Sequence, residues 1–360
     1  MRFIFFTKDN WSDQARLRHQ LAKLLINSGH KVIFFQNPKY FFQNNNFRLS
    51  KYKGIKIITH KQLIHHRLRI TPHIHNLNST YEKKNIIEAC KNLNITNNDI
   101  IINFCYDYYF LRDLFLKNKI VTMINDDYIS KSVPRYQKLT KKILKETLIK
   151  SDIVLTVSKI IKQDLDKIVK NVKLFYPWTN LRYQKPKKSK KNKIIYWGYI
   201  NDRIDFEYLI KLAFKLEQKK SKIKIILYGP LNISKKKISK ILNQPNIYIH
   251  PPKDINKIDL SDFFAAIIPY KSGIPENDCI TFPNKLAPLL SKGLHICKKG
   301  MPKFVSAKFI HKLSNDTSKA TDTLIKLKLN YSKYQYHISN FIKKNNSKTR
   351  LKQFYSILKL

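Results

Sequence analysis

Hydrophobic and polar positions follow two alternating patterns along most of the chain. Short runs of consecutive Ile, Val, Leu and Phe predict strands that are buried on both faces of a sheet. Longer runs with apolar residues at helical spacing follow many of these strands. In the first half the predicted strands are RFIFF, KVIFFQ, GIKIIT, DIIINF, KIVTMI, DIVLTV and VKLFYP, and the predicted helices are ARLRHQLAKLLINSG and residues 81–93, 136–150 and 159–170.

The same alternation starts again after the lysine-rich segment KPKKSKKNK at 185–193. The predicted strands there are KIIYWG, IKIILYG, IYIHP, AAIIPY and LHICK, and the predicted helices lie near 205–219 and 234–243, after Asn284, and within 317–360. Alternating strands and helices are typical of parallel sheets. We therefore predict an α/β protein with two Rossmann-like, doubly wound parallel-sheet domains.

The domain boundaries are predicted from the same pattern. The N-terminal domain is placed at 1–182, a lysine-rich linker at 183–192, and the second domain at 193–330. The helical segment 331–360 could pack back on the N-terminal domain. Because open parallel sheets bind ligands outside the carboxyl ends of their strands, we expect the two domains to face a central cleft.

The charge balance requires an anionic partner to be considered. Lys and Arg number 70 against 24 Asp and Glu, which gives a formal charge of +46. Nucleic acid, phospholipid and phosphorylated substrates all suit such a charge. The excess is spread along the chain and accompanies no nucleic-acid-binding motif, so a basic nucleic-acid-binding protein is only the alternative prediction.

Cysteine spacing and the length of apolar runs indicate the cellular compartment in which the protein is expected. The four cysteines have no paired spacing, which fits neither a zinc site nor a disulfide framework and suggests reduced thiols in the cytoplasm. The start MRFIFF does not resemble a signal peptide, and no apolar run approaches the roughly 20 residues that span a bilayer. Any membrane contact is expected to be peripheral.

Two motifs that would indicate other chemistry are missing or weak. The chain has seven glycines and no GxGxxG, so a nucleotide-dependent dehydrogenase is disfavoured. The histidine-rich stretch HKQLIHHRLRITPHIH is irregularly spaced and interleaved with arginine, which favours a surface loop over a metal site. Its histidines are His60, His65, His66, His73 and His75. We expect no metal and no cofactor.

Several segments, spread over about residues 1–300, together resemble glycosyltransferases of the GT-B fold. Among these enzymes the likeness is greatest to those that build bacterial surface polysaccharides, including xanthan-type glucuronosyltransferases. The segments are NWSDQARLRHQLAKLLINSGHKVIFFQNP, KETLIKSDIVLTVSKIIKQDL, IIYWGYINDRIDFEYLIKLA, IKIILYGP, NIYIHPP, DFFAAIIPY and FPNKLAPLLSKGLHIC.

This resemblance implies a nucleotide-sugar donor, expected to be a UDP-sugar, bound by the C-terminal domain. It implies a glycan or a polyprenyl- or other lipid-linked acceptor bound by the N-terminal domain, as in lipopolysaccharide or capsule synthesis. The enzyme would be metal-independent and cytoplasmic, with peripheral contact to an anionic membrane at the inner face of the plasma membrane. No nucleic-acid partner is expected.

The resemblance also places the donor-binding residues. Lys285 lies at the start of a predicted helix, where a cation and free N–H groups suit a diphosphate. Arg203 could reach the phosphates or form a salt bridge with Asp202 or Asp205. Tyr270 could stack on the base or pack. The full expected set is Gly198, Tyr199, Arg203, Gly229, Tyr270, Lys271, Glu276, Pro283 and Lys285.

Pro288 departs from the family pattern. If Asn284 is the N-cap, Lys285 is the first helical residue and Pro288 the fourth, where a missing N–H costs no helical hydrogen bond. Relatives often have a carboxylate or amide at this position that can bind the ribose. Glu276 or Asp278 could substitute for it. A catalytically degenerate, transferase-like binding protein is therefore a further alternative.

An inverting glycosyltransferase needs a base for the acceptor hydroxyl. The segment TMINDDYIS places Asp126 and Asp127 at the carboxyl end of a predicted strand, where inverting relatives have an aspartate. Asp126 is the favoured base and Asp127 a close rival, although one of them could instead cap the next turn. Asp107 in CYDYYF is a weaker candidate.

Overall fold

Two parallel sheets, one in each half of the chain, organise the structure, which is a computed structural model. It describes residues 1–13, 15–43, 54–65, 68–69, 71–186 and 191–360. Unit 1 comprises Met1–Tyr176 and Gln353–Leu360, and unit 2 comprises Pro177–Lys352.

The main sheet of unit 1 has seven strands in the order β4-β2-β1-β6-β7-β8-β9, and every neighbouring pair is parallel. Strands β3 and β5 form a separate parallel pair. The strands are β1 (Arg2–Phe6), β2 (Lys31–Phe35), β3 (Lys39–Tyr40), β4 (Ile55–Ile58), β5 (Lys61–Gln62), β6 (Ile100–Asn103), β7 (Lys119–Ile124), β8 (Ile153–Thr156) and β9 (Val172–Leu174). The α-helices are α1 (Leu17–Asn27), α2 (Pro72–Cys90), α3 (Leu111–Leu114), α4 (Tyr128–Lys131), α5 (Gln137–Ile149) and α6 (Lys159–Asp166), and Pro134–Tyr136 form a 3₁₀ helix.

Aromatic side chains fill much of the core of unit 1. The rings of Phe6 and Phe35, on paired strands, stack with centroids 4.6 Å apart. Phe354, near the chain's end, packs against Phe3 at 6.2 Å and Phe175 at 5.5 Å. This contact explains why residues 353–360 belong to unit 1 although they follow unit 2 in sequence.

Unit 2 has a six-stranded parallel sheet in the order β14-β12-β10-β15-β16-β17 and a short parallel pair of β11 with β13. The strands are β10 (Lys193–Trp197), β11 (Ile200–Asn201), β12 (Lys224–Tyr228), β13 (Leu231–Asn232), β14 (Ile247–His250), β15 (Phe263–Pro269), β16 (His295–Lys299) and β17 (Ile310–Lys312). The α-helices are α7 (Phe206–Gln218), α8 (Lys235–Leu242), α9 (Pro275–Asp278), α10 (Leu286–Ser291), α11 (Thr317–Leu329) and α12 (Gln335–Lys344), and Ile255–Lys257 form a 3₁₀ helix. Helix α13 (Ser347–Leu358) starts in unit 2, and its residues from Gln353 onward belong to unit 1.

This strand order confirms the predicted doubly wound class, because each chain half winds outward from a central first strand in two directions. All twelve predicted strands occur in the structure, with ends that differ by a few residues at most. The short strands β3, β5, β11, β13 and β17 were not predicted, since two or three residues give no recognisable pattern.

Helix α2 is the clearest difference from the prediction, because it begins at Pro72 rather than near residue 81. Its first half lacks apolar periodicity, so the helix signal there is capping instead. Thr71 accepts a hydrogen bond from the backbone N–H of Ile74 at 3.3 Å, and Pro72 occupies the first helical position. The Thr-Pro pair was thus the sequence signal that could have found this start.

Part of the predicted linker at 183–192 lies outside the described residues, namely 187–190. Lys191, near the end of the predicted linker, is buried and donates a hydrogen bond to the backbone carbonyl of Ser261. In the predicted C-terminal segment, α12 belongs to unit 2, whereas 353–360 belong to unit 1. Within the described ranges, no helix combines the length and apolarity needed to cross a membrane.

Candidate functional site

The candidate donor site lies at the carboxyl edge of the unit 2 sheet. Strands β10 and β15 are neighbours there, and the order of the sheet reverses between them, so the chain leaves the two strands toward opposite sides. Such switch points are where open α/β sheets bind ligands. Gly198 directly follows β10, Gly229 follows β12, and Tyr270 follows β15.

Lys285 points into this edge and is held by two tyrosines. Its Nζ donates a hydrogen bond to the Tyr270 hydroxyl at 3.2 Å. The same atom lies 4.1 Å from the ring centroid of Tyr196 and 5.4 Å from that of Tyr270. In the described part of the chain no carboxylate pairs with Lys285, so cation–π contacts and one hydroxyl hold its charge.

Two glycines create the space for this arrangement. Gly198 has φ +140°, and a Cβ at this position would lie 2.7 Å from the Nζ of Lys285. A Cβ on Gly229 would lie 1.8 Å from the backbone oxygen of Gly198. The two turns therefore pass each other at backbone contact, and only glycine allows this approach.

The ionisation of the tyrosines follows from their neighbours. Burial raises the pKa of Tyr196 well above its ordinary value. Burial also acts to raise the pKa of Tyr270, but the charge of Lys285 and hydrogen bonding with Tyr196 and Lys285 outweigh it and lower that pKa. Since Tyr270 is only 7% exposed, the structure favours the packing alternative over stacking on a base.

Arg203 lies in the turn before α7 and forms a salt bridge with Glu276 at 3.0 Å. From the sequence, Asp202 and Asp205 were the predicted salt-bridge partners of Arg203. In the structure these carboxylates pair instead with Lys237 and Lys299 respectively. Asp205 also caps α7 by accepting from the backbone N–H of Tyr208 at 3.1 Å.

Asn277, which sequence reasoning missed, connects the two loops that carry Arg203 and Lys271. It is fully buried, and its Nδ2 donates to the carbonyl of Lys271 at 3.0 Å and to that of Arg203 at 3.4 Å. The backbone N–H of Lys271 donates to the carbonyl of Arg203 at 3.0 Å. A single asparagine in a four-residue helix gives no sequence signal for such a role.

The helix after Asn284 begins one residue later than predicted. Lys285 is the N-cap of α10, which makes Pro288 its third helical residue rather than its fourth. The turn before it closes through the carbonyl of Pro283, which accepts from the N–H of Leu286 at 3.0 Å. Pro288 still costs no helical hydrogen bond. With only six residues, α10 adds little dipole, so the side chain of Lys285 carries the local positive charge.

Aromatic surfaces surround the two glycine turns. Tyr199 is 44% exposed, and its carbonyl accepts from the Tyr196 hydroxyl at 2.7 Å. The rings of Tyr228 and His250 stack with centroids 4.8 Å apart, directly beside Gly229. No sequence pattern points to this pair, because its members come from different strands.

The candidate acceptor side is at the carboxyl ends of the unit 1 strands. Asp127 accepts a hydrogen bond from the backbone N–H of Ser130 at 3.0 Å and caps α4. This agrees with the alternative prediction that one of the two aspartates caps the next turn. Asp126 pairs with Lys131 at 2.7 Å and is 43% exposed. Beside this turn, the rings of Tyr106 and Tyr128 stack at 4.5 Å. Asp126 thus has the more available carboxylate.

Asp107 belongs to a buried ion network in unit 1. It pairs with Lys8, and with Arg69 at 3.3 Å, while Arg69 also pairs with Glu82 at 3.0 Å. The side chains of Arg69, Glu82 and Asp107 are at most 2% exposed. Burial raises the pKa of Glu82. Asp107 is therefore committed to fixed cations and is a poor general base.

The surface-loop prediction for the histidine-rich stretch is wrong at two positions. His60 is buried with its Nε2 3.0 Å from the Tyr108 hydroxyl, and burial lowers its pKa to about 3. His75 is buried inside α2, and burial lowers its pKa to about 4. His73 is exposed, His65 is half-buried, and His66 lies outside the described residues. Among the residues that the structure describes, no three His, Cys, Asp or Glu form a group that could hold a metal ion.

Comparison with known proteins addresses the fold. No protein-family model matches the sequence, and no curated protein matches it. Solved structures do match. A lipopolysaccharide outer core galactosyltransferase, WaaB, superposes with a TM-score of 0.68 at 12% identity, covering 99% of both chains. A sucrose-phosphate synthase from Thermosynechococcus elongatus gives a TM-score of 0.74 at 13% identity, covering 99% of this chain and 98% of the other.

The protein has the GT-B fold. A UDP-forming trehalose-phosphate synthase from Burkholderia xenovorans, solved with glucose-6-phosphate, also matches, with a TM-score of 0.67 at 10% identity and full coverage of both chains. The predicted GT-B resemblance is therefore confirmed for the fold. In this GT-B protein, Lys285 and the turns at Gly198 and Gly229 lie at the switch point of the second sheet, which the strand order defines.

Proposed function

We propose that the protein is a glycosyltransferase that moves a sugar from a UDP-sugar to a glycan or lipid-linked acceptor in bacterial surface polysaccharide synthesis, on the cytoplasmic side of the membrane. The placement of Lys285 supports this most, because a cation without a described carboxylate partner faces two glycine turns at a ligand-binding edge. The names of the similar structures, an outer core galactosyltransferase and a UDP-forming synthase, point the same way.

The donor chemistry follows from the residues at that edge. Negative charge develops on the diphosphate as the sugar leaves, and a positioned cation stabilises it. Lys285 would bind this diphosphate, with Arg203 and Lys271 on the adjoining loops. The Gly198 and Gly229 turns would admit the phosphates to the backbone. The stacked pair of Tyr228 and His250 offers a face for the nucleobase.

For the acceptor, we assign Asp126 as the general base and Asp127 as the residue that holds the turn. The carboxylate of Asp126 would take the proton of the acceptor hydroxyl as its oxygen attacks the anomeric carbon and the bond from that carbon to UDP breaks. A single displacement of this kind, from the face opposite UDP, inverts the anomeric configuration. Its ion pair with Lys131 is partly exposed and easily exchanged. Asp127, in contrast, is occupied by the cap of α4.

We further propose that side-chain cations, rather than a metal ion, neutralise the departing diphosphate. Lys285 and Lys271 would supply positive charge near the carboxyl edge, joined by Arg203 when its partly exposed salt bridge with Glu276 opens. Chelation by EDTA should then leave UDP affinity and turnover unchanged. A loss of either that added Mg²⁺ or Mn²⁺ restores would contradict this part of the proposal.

Peripheral membrane contact is also proposed, through the tip that follows β3. Phe41 and Phe42 are 53% and 69% exposed, and Lys39 and Lys61 lie on the paired strands beside them. Exposed aromatic rings with neighbouring lysines suit the interface of an anionic bilayer. Replacing both phenylalanines with serine should weaken sedimentation with phosphatidylglycerol vesicles. Equal sedimentation of the variant would count against this contact.

The test of the donor site is a thermal shift with UDP, GDP, ADP and CDP. We expect the largest stabilisation with UDP, and Lys285→Met should remove most of it. Lys224→Met is the matched control, because Lys224 also lies over a tyrosine ring, that of Tyr248 at 5.3 Å, but at the opposite end of the sheet. If no nucleoside diphosphate stabilises the protein, or if both variants respond alike, the proposed donor site is wrong.

One observation favours a second candidate, a transferase-like protein that binds nucleotide without catalysis. Pro288 offers no side-chain acceptor for a ribose, and Glu276, the possible substitute, is engaged with Arg203. UDP binding without release of UDP from any donor, across a panel of UDP-sugars and acceptors, would favour this candidate over the enzyme.

A further inference from the structure

An aromatic groove lies in unit 2, away from the residues assigned to donor binding. It is formed by the extended segment 183–186 and the start of α12, and its volume is about 520 Å³. This is within the range of about 300–1,000 Å³ that is usual for small-molecule sites. The groove is lined chiefly by Tyr183, Tyr334, Tyr336, His337, Lys185 and Ser332, and none of its described lining residues is aliphatic.

Hydrogen bonds hold the base of this groove in place. The Tyr183 hydroxyl donates to Oε1 of Gln335 at 2.8 Å. Nε2 of Gln335 donates to the carbonyls of Tyr331 at 2.8 Å and Gly293 at 3.1 Å. A Cβ on Gly293 would lie 2.7 Å from the ring of Pro186, so glycine allows the segment to run against the sheet domain. Both walls are thus fixed before any ligand binds.

The rings of the groove remain open to a ligand. Tyr336 is 75% exposed, which leaves its ring accessible to a ligand. Its ring lies 5.9 Å from that of His337, which lies 6.0 Å from that of Tyr334. Tyr334 has φ +68°, a left-handed conformation that is strained for a tyrosine and is often found at binding sites.

We propose that this groove binds an oligosaccharide that contains acidic sugars. The electron-rich face of a tyrosine ring attracts the weakly positive C–H groups of a sugar ring. Ser332 and the Tyr334 hydroxyl can exchange hydrogen bonds with sugar hydroxyls, whereas the amide donors of Gln335 are already used within the protein. Lys185 at the rim, and Lys333 at 5.6 Å from the Tyr334 ring, favour a carboxylate on the sugar.

This inference rests on the proposed function in one respect, because a transferase of surface polysaccharides meets long glycans. The groove would then hold part of a glycan chain outside the reacting sugar. It shares no residue with the set around Lys285 or with Asp126, so its occupancy can be measured separately from either.

The experiment is calorimetric titration with a hyaluronan hexasaccharide, which alternates acidic and neutral sugars, with no nucleotide present. We expect measurable binding by the wild type and a loss of affinity of about five-fold or more in Tyr336→Ala, equivalent to about 1 kcal/mol. Tyr336→Phe should bind nearly as the wild type does. Tyr248→Ala removes another exposed tyrosine with a lysine over its ring and should change nothing.

Several results would overturn the site. These are no binding of the hexasaccharide, equal binding by wild type and Tyr336→Ala, or binding that Tyr248→Ala weakens as much. Tighter, Tyr336-dependent binding of a thymidine hexanucleotide would assign the groove to single-stranded nucleic acid instead. Lys285→Met separates the two proposals, because it should remove most of the UDP binding and leave hexasaccharide binding intact.

Discussion

Replacing Asp126 with asparagine tests the proposed base while preserving its shape. The ion pair that is lost joins side chains that are 43% and 31% exposed, and such pairs contribute about 1 kcal/mol or less to stability. If Asp126 is the general base, however, turnover should fall by about 10²- to 10⁴-fold. This corresponds to about 3–5.5 kcal/mol in the barrier. Chemistry and folding should therefore respond very differently.

Asp127 supplies the matched control, because its role in the structure is different. It caps α4, and asparagine caps helices about as well as aspartate does. Asp127→Asn should therefore keep both stability and turnover within a few-fold. Asp127→Ala loses the cap and should lower the free energy of unfolding by about 1 kcal/mol.

The assay measures the release of UDP from a UDP-sugar in the presence of acceptor, with kcat and KM determined for each variant. UDP affinity and the urea midpoint are measured in parallel. We expect Asp126→Asn to lower kcat without changing UDP affinity. If Asp127→Asn, not Asp126→Asn, loses turnover at least a hundred-fold with the cap retained, Asp127 is the base and our assignment is wrong.

Three further predictions concern the glycine turn, the ion network and pH. Gly198→Ala puts a Cβ against Lys285 at φ +140° and should lower stability by about 1–3 kcal/mol together with UDP affinity, as calorimetry would show. Unchanged affinity would contradict the fit. Arg69→Met leaves Glu82 buried without its cation and should lower the free energy of unfolding, measured by urea denaturation, by about 3–5 kcal/mol. Adding Glu82→Gln to the same chain should restore part of this loss. A loss below about 1 kcal/mol would contradict the prediction. Since the pKa of His60 is about 3 in the folded state and ordinarily 6.5, its contribution to stability is complete above pH 6.5 and is lost as pH falls toward 3, by about 1.4 kcal/mol per pH unit. A urea midpoint that is equal at pH 7 and pH 5 would exclude this.

The sheets were predictable because their signal is local. Strands such as β1 and β7 are consecutive apolar residues, and burial on both faces of a parallel sheet requires that pattern. Helix α2 shows where prediction from apolar periodicity fails. Its first half carries His75 and Asn78 at buried positions, so the residues that face the interior are polar and hide the period.

The salt-bridge partners of charged side chains could not be predicted, because the two partners come from segments that are distant in sequence and meet only in the folded chain. Arg203 has two aspartates within two residues and yet pairs with Glu276 in helix α9. The nearer carboxylates are held by lysines from a helix and a strand that only the folded chain brings close. Sequence distance is therefore a poor guide to ion pairs in a fold whose loops meet at one edge of a sheet.

Lys285 illustrates what sequence and structure each contribute to the candidate site. Its position before a short apolar helix suggested a phosphate contact, yet a lysine at such a position is usually solvated. The structure shows why this one is directed: Tyr196 and Tyr270 lie on two strand ends, and Gly198 leaves room for the ammonium group between them. Gly198 and Tyr196 are 87 and 89 positions from Lys285 in sequence, and Tyr270 is 15 positions from it. Because a Cβ at 198 would lie 2.7 Å from the Nζ of Lys285, a larger residue there would displace the ammonium group, and the phosphate-binding capacity of the cation and of the turn should depend on each other.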